Sequence, residues 1–197
     1  MNRFCYVFTF VLIAASGLAQ TASRTSILYE ELIQPSTTNA AAPQLFDLAK
    51  NDPAAREFLA AKLSSLIVNR PTDPVWANAV RLAGQLKLSS ALPSLKQALS
   101  RPPKRGGYDA TGPSFYTFSR GAKLDFDIVG RAFADIGDQS VPTVADILST
   151  GDSIARKRAT WILANINSPA AQKAMRDHLP SESDPAIKEL IEQFLHI

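Results

Sequence analysis

The sequence predicts an all-α fold made of stacked helix pairs, and three observations predict it. From Gln44 onward apolar residues recur at spacings of three and four, Ala and Leu dominate, and no sustained β-branched alternation interrupts them. Helix starts are marked by a capping residue followed by proline at Asp52-Pro53, Asp73-Pro74, Ser168-Pro169 and Asp184-Pro185, each supplying an N-cap oxygen and a preset first turn. One pattern also repeats along the chain, anchored on Leu86, Ile136 and Ile166.

The repeat defines the first helix of each pair. Seven residues before the anchors stand Ala79, Val129 and Ala159; four before stand Leu82, Ala132 and Ile162; three before stand Ala83, Phe133 and Leu163. At 3.6 residues per turn these share one face. A short turn then leads to a second helix, whose inner stripe is expected from Leu95 and Leu99, from Val144 and Leu148, and from Ala174 and Leu179. A single helical hairpin cannot bury its apolar face, so neighbouring pairs must stack around one shared core. Flanking helices at Asp52 to Val68 and Asp184 to Phe194 are expected to cap the array, the latter through Ile187, Leu190, Ile191 and Phe194.

The N-terminal end reads differently. Met1, Asn2 and Arg3 precede an apolar run from Phe4 to Ala15 and the small-residue site Gly17-Leu18-Ala19, the layout of a cleavable secretory signal over residues 1–19. The run falls short of the ~20 apolar residues that a membrane span needs, so no stable membrane insertion is expected after cleavage and the mature chain is expected to be periplasmic or secreted. Cys5 is the only cysteine and lies within this segment, which leaves no disulfide, thiol nucleophile or cysteine metal site beyond it. Residues 20–43, with a short helical candidate at Ser26 to Gln34 and then Pro35 and Pro43, are expected to form an arm or linker, either a tether or a loose cap, and residues 44–197 the repeat domain.

Charge excludes little but implies less. The chain carries 21 basic and 18 acidic residues, so removing Arg3 with the signal reduces the formal charge from +3 to +2. The second helices offer Lys96, Gln97, Asp146, Lys173, Arg176 and Asp177, a surface of mixed sign, so nucleic acid is not an expected partner.

Catalysis should leave a constellation of residues. His178 and His196 are the only histidines, with no second histidine or cysteine at metal-ligand spacing, so neither a zinc site nor another cofactor is expected. No serine sits in a strand-to-helix elbow, and Arg105-Gly106-Gly107 and Arg120-Gly121-Ala122-Lys123 lack the context of a phosphate loop. Asp135 and Asp138 suit a turn and a cap better than a paired acid and base. The expectation is a non-catalytic protein.

The segment from Arg131 to Val144, reading Arg-Ala-Phe-Ala-Asp-Ile-Gly-Asp-Gln-Ser-Val-Pro-Thr-Val, resembles the core of HEAT-like repeats of the phycobilisome-lyase type. Leu82 to Leu95, with Pro93, is a looser copy, and Ala155-Arg156 resembles the family's Val-Arg opening. The third unit departs from the pattern, with Asn165-Ile166-Asn167-Ser168-Pro169 where a Gly-Asp turn is usual. The resemblance spans about Asp73 to Leu179. It implies a short right-handed α-solenoid of the HEAT or armadillo type, and protein binding far more often than catalysis; a lyase-like or nucleic-acid-binding role is its alternative.

The candidate binding residues come from the spacing. Ile136 and Ile166 lie 30 residues apart but Leu86 and Ile136 lie 50 apart, and the surplus falls on residues 102–121, where Pro102-Pro103, Gly106-Gly107 and Gly112-Pro113 oppose helix formation. A long insertion in a repeat array often marks its binding face. This one sets Tyr108, Phe115, Tyr116 and Phe118 among Arg101, Lys104, Arg105 and Arg120, aromatic anchors rimmed by charge. The competing reading is that these aromatics fold back over the flanking units. Trp161 lies where the other units have Arg81 and Arg131, and is either a lid over a neighbouring helix or an exposed anchor for a partner.

Overall fold

The computed structural model describes residues 22–69, 72–100 and 127–196. Among these, regular structure is helical. Residues 22–32 form α1; then come α2 (Thr38–Asn51), α3 (Pro53–Asn69), α4 (Asp73–Gln85), α5 (Leu92–Leu99), α6 (Ile128–Ile136), α7 (Val141–Thr150), α8 (Ser153–Ile166), α9 (Pro169–His178) and α10 (Pro185–Leu195). Short 3₁₀ turns at Ser89–Ala91, Gly137–Ser140 and Leu179–Ser181 lead into α5 and α7 and follow α9.

Local chemistry sets most of the helix starts. The Asp52 carboxylate accepts from the amide of Ala54 at 2.8 Å, the Ser168 hydroxyl from Ala171 at 3.2 Å, and Asp184 from Ala186 at 3.0 Å, and each cap is followed by proline in the first turn. At Asp73-Pro74 the start lies one residue earlier: Thr72 is the cap residue, and Asp73 stands in the first turn, where its charge complements the helix dipole. Asp127 and Asp152 also cap, accepting from Gly130 and Ala155 at 2.8 Å.

The expected stripes are buried. Ala79, Leu82, Ala83, Val129, Ala132, Phe133, Ala159, Ile162 and Leu163 are each 1 % exposed or less. The helices meet in an ordered way: α4 packs on α2, α3 and α6; α6 on α5 and α8; α8 on α7, α9 and α10; α5 bridges α3 and α7; and α7 contacts α9. The third pair departs from the expected register, because Ala171 and Met175 are its buried residues while Ala174 and Leu179 are only half-buried. The cause is the turn. The first two pairs spend a 3₁₀ turn before the second helix, whereas α8 ends on Asn167 in the left-handed region (φ 51°) and passes directly to the Ser168 cap, so the stripe starts earlier.

In the described part of 20–43 the helix expected at Ser26 to Gln34 is present as α1, and the tether reading is corrected to that of a packed cap. Residues 22–32 are helical, and α2 begins at Thr38 and continues through Pro43. Leu28, Leu32 and Ala41 join the core, and the Tyr29 ring meets that of Phe58 edge-on at 5.6 Å. Pro43 removes the amide that would have bonded to the Asn39 carbonyl. Tertiary contacts offset this, since the Asn78 side-chain amide donates to the Thr38 hydroxyl at 3.2 Å and to the Asn39 side-chain oxygen at 2.9 Å.

Candidate functional site

Arg101, Lys104, Arg105, Tyr108, Phe115, Tyr116, Phe118 and Arg120 lie outside the described residues. Their two flanks are described, and they meet. The Arg158 guanidinium donates from Nε to Asp127 Oδ2 and from Nη2 to Asp127 Oδ1, both at 2.7 Å, and from Nη1 to the Leu99 carbonyl at 2.7 Å. Leu99 is the last residue of α5 and Asp127 caps α6, so one side chain from α8 holds both edges of the segment 100–127.

The electrostatics of this clamp favour it at every contact. A cation meets the C-terminal end of α5, and a carboxylate meets the N-terminal end of α6. The Arg158 and Asp127 side chains are 5 % and 3 % exposed. Burial pushes the Asp127 carboxyl up, but the Arg158 charge, the two Arg158 hydrogen bonds and the α6 amides outweigh it and hold the group below the usual carboxylate range. The pairing is bidentate, the geometry in which Arg and carboxylate bind best.

A second buried carboxylate lies near the C-terminal end. Glu182 is bonded by Arg156 through Nε and Nη2, each at 3.1 Å, meets His178 Nε2 at 2.9 Å, and accepts from the Asp184 amide at 2.9 Å. Burial raises this carboxyl, and the Asp184 amide, His178 and Arg156 together bring it below its ordinary value. The cluster ties α8 to the turn that leads into α10. His178 is thereby engaged in a hydrogen bond to Glu182 within this cluster.

Trp161 is 4 % exposed and meets the Phe194 ring edge-on at 4.6 Å. The reading of an exposed anchor is corrected to that of a packed residue: α10 covers the side of α8 that its helical position had suggested was open. Trp76, expected in the core, is 2 % exposed and donates its indole N–H to the Ile67 carbonyl at 3.2 Å.

The second helices carry the mixed charge read from the sequence, and four of these charges form two ion pairs. Lys96 of α5 bonds Asp146 of α7, and Lys173 bonds Asp177 within α9 at 2.5 Å. An open groove beside α7 and α9 is lined by Ala145, Ser149, Ala170, Lys173, Ala174, Asp177, His178 and Ser181. Among the described residues no cluster of three or more His, Cys, Asp or Glu could hold a metal ion, and no helix is long and apolar enough to cross a membrane. Asp127 and Arg158 were not singled out from the sequence. A signal existed: Arg158 occupies the apolar stripe of α8 between Ala155 and Ile162, a charge on a core face that requires a partner.

No family model, curated protein or solved structure matches the chain.

Proposed function

We propose that the chain is an exported, non-catalytic scaffold, a short right-handed α-solenoid of HEAT-like helix pairs that binds a protein partner through the insertion at residues 102–121. The solenoid reading is supported by how the helices meet. First helices follow one another as α2, α4, α6, α8 and α10, second helices as α3, α5, α7 and α9, and each packs on the next of its own series except α10, which closes against both. Such stacking of repeats is what buries faces that no hairpin can bury alone.

The observation that carries the binding reading is that Arg158 bonds both Leu99 and Asp127. Atoms one hydrogen bond from the same guanidinium lie within about 8 Å of each other. A connector of roughly four residues would cross that gap at ~3.5 Å per residue. The sequence instead spends residues 100–127 there, including Tyr108, Phe115, Tyr116 and Phe118 among basic residues. Chain length beyond what connection requires, with anchor-type side chains, suits presentation to a partner. Export is supported by the charged start, the apolar run and Gly17-Leu18-Ala19.

The experiment compares the full chain with one in which Pro102 to Gly121 are replaced by a short Gly-Ser connector. Both are immobilised and exposed to the native exported fraction. The reading expects the shortened chain to keep its helical circular dichroism and melting while losing a partner that the full chain captures. Equal capture by both would remove 102–121 from the site. A steep loss of binding with salt would point to phosphate contacts and the nucleic-acid alternative.

A further inference from the structure

We propose that Arg158 is a registry latch, fixing how the half of the molecule before residue 100 docks on the half after it, so that the covalent connection between Leu99 and Asp127 is dispensable for that docking. The inference stands whether or not residues 102–121 bind a partner.

Connections elsewhere in the described chain are short enough to set register by themselves. Asp52 alone separates α2 from α3, Gly151-Asp152 separate α7 from α8, and Asn167-Ser168 separate α8 from α9. Between α5 and α6 this control is missing, because residues 100–127 intervene. Chain length of this order does not by itself limit docking to one orientation, as a link of one or two residues does. Apolar packing of α6 on α4 and α5 supplies attraction and a close fit at Gly84 and Ala132, but no directional bond.

Arg158 supplies what the connection does not. Its bond from Nη1 to the terminal carbonyl of α5 is directional and crosses the break, while its two bonds to the capping carboxylate of α6, on its own side of the break, hold the guanidinium in place to make it. A docking displaced by one helical turn would strand a buried guanidinium from Leu99, and a buried polar group without its partner is costly. The Asp127 pair, within the later half, aims the guanidinium at Leu99. Lys96 of α5 and Asp146 of α7 add a second bond across the same break, but both side chains are more than 40 % exposed, where such pairs contribute little.

The test cuts the full-length chain. A site-specific protease sequence is inserted after Gly112, the protein is folded and then cleaved, and the pieces are followed by size exclusion, circular dichroism and dilution. The latch expects the cleaved pieces to co-elute at the mass of the whole chain with unchanged helicity. It expects cleaved Arg158→Met to dissociate at concentrations roughly 100-fold higher than cleaved wild type. Pieces that separate or precipitate from cleaved wild type would overturn the proposal, as would Arg158→Met pieces that associate equally tightly. If uncut Arg158→Met does not fold, Arg158→Lys serves, since a single ammonium keeps the charge beside Asp127 but lacks the planar fork that reaches Asp127 and Leu99 together. Its pieces should associate at least tenfold more weakly than wild type, and unchanged association would again overturn the latch.

Discussion

Gly84 of α4 stands so close to Ala132 of α6 that a Cβ on Gly84 would lie 2.7 Å from the Ala132 Cα and 3.0 Å from its Cβ. Two helices of consecutive pairs therefore touch nearly backbone to backbone, and the small side chain is a requirement of packing. Ala is normally preferred to Gly inside a helix by ~1 kcal/mol. Here the nearest atom is main chain and cannot rotate away, so overpacking at about 1–3 kcal/mol should win. Gly84→Ala is expected to lower stability in urea denaturation, and adding Ala132→Gly should recover little. A stabilised Gly84→Ala would mean that α4 and α6 are farther apart than the structure places them.

Lys87 offers the opposite outcome. The α4 helix ends in a Schellman arrangement, with the Leu88 amide on the Ala83 carbonyl at 2.9 Å and the Lys87 amide on Gly84 at 2.8 Å, and Lys87 sits in the left-handed region at φ 52°. That position favours glycine, and the exposed lysine side chain makes no compensating contact that the helix end requires. Lys87→Gly should stabilise the fold by about 0.5–1 kcal/mol, raising the melting temperature. Gly137 fills the corresponding turn of the next pair at φ 78°, ψ −141°, a region almost confined to glycine, with open space where a Cβ would lie. Gly137→Ala should cost about 1–3 kcal/mol through backbone strain alone. Equal melting temperatures for all three proteins would refute the backbone accounting at both turns.

The stripes were legible in the sequence because helical periodicity is local, and residues at three, four and seven before Leu86, Ile136 and Ile166 are buried as spaced. Capping at Asp52, Ser168 and Asp184 was legible for the same reason. What was not legible is what depends on distant partners. Pro35 and Pro43 read locally as breakers, yet Asn78, far along the chain, holds the start of α2. Trp161 read as outward because α10, which covers it, lies a full pair downstream. The bond between Arg158 and Asp127 joins residues with no shared local pattern, and only the misplaced charge on the α8 stripe hinted at it. Of the candidate binding residues, the aromatic and basic set at 101–120 lies outside the described residues, so the stems of that segment, not its tip, are what the structure adds.

Acid should weaken the fold through two carboxylates. Asp127 and Glu182 both sit below their ordinary values in the folded protein, 3.8 and 4.5 being the reference points. The unfolded chain therefore binds protons more readily than the folded one as pH falls. The stability these groups contribute is fully present above about pH 5 and is lost as pH falls through their lowered folded values. Urea midpoints measured from pH 7 to pH 3 should be flat at first and then decline. Glu182→Gln should start from a lower plateau and show a shallower decline, and a variant whose acid slope equals that of wild type would show that Glu182 does not carry it.

The pair Asp127 and Arg158 should also reveal itself as coupling. Arg158→Met leaves a carboxylate buried at 3 % exposure without its cation, and Asp127→Leu leaves a guanidinium buried at 5 % exposure, so each is expected to cost roughly 3–5 kcal/mol. Replacing both removes the stranded charge, and the two apolar side chains can pack against each other. Recovery should still be incomplete. The double variant loses the cap on the Gly130 amide, worth ~1 kcal/mol, and leaves the Leu99 carbonyl without its donor, at a cost of about 1–3 kcal/mol. The expected double-variant loss is therefore well below the sum of the singles but clearly above zero, with an interaction energy of about 2–3 kcal/mol or more. Urea denaturation of the four proteins at neutral pH measures it. Singles that simply add would mean the charges are independently solvated, and the clamp at the base of residues 100–127 would not be the interaction that holds them.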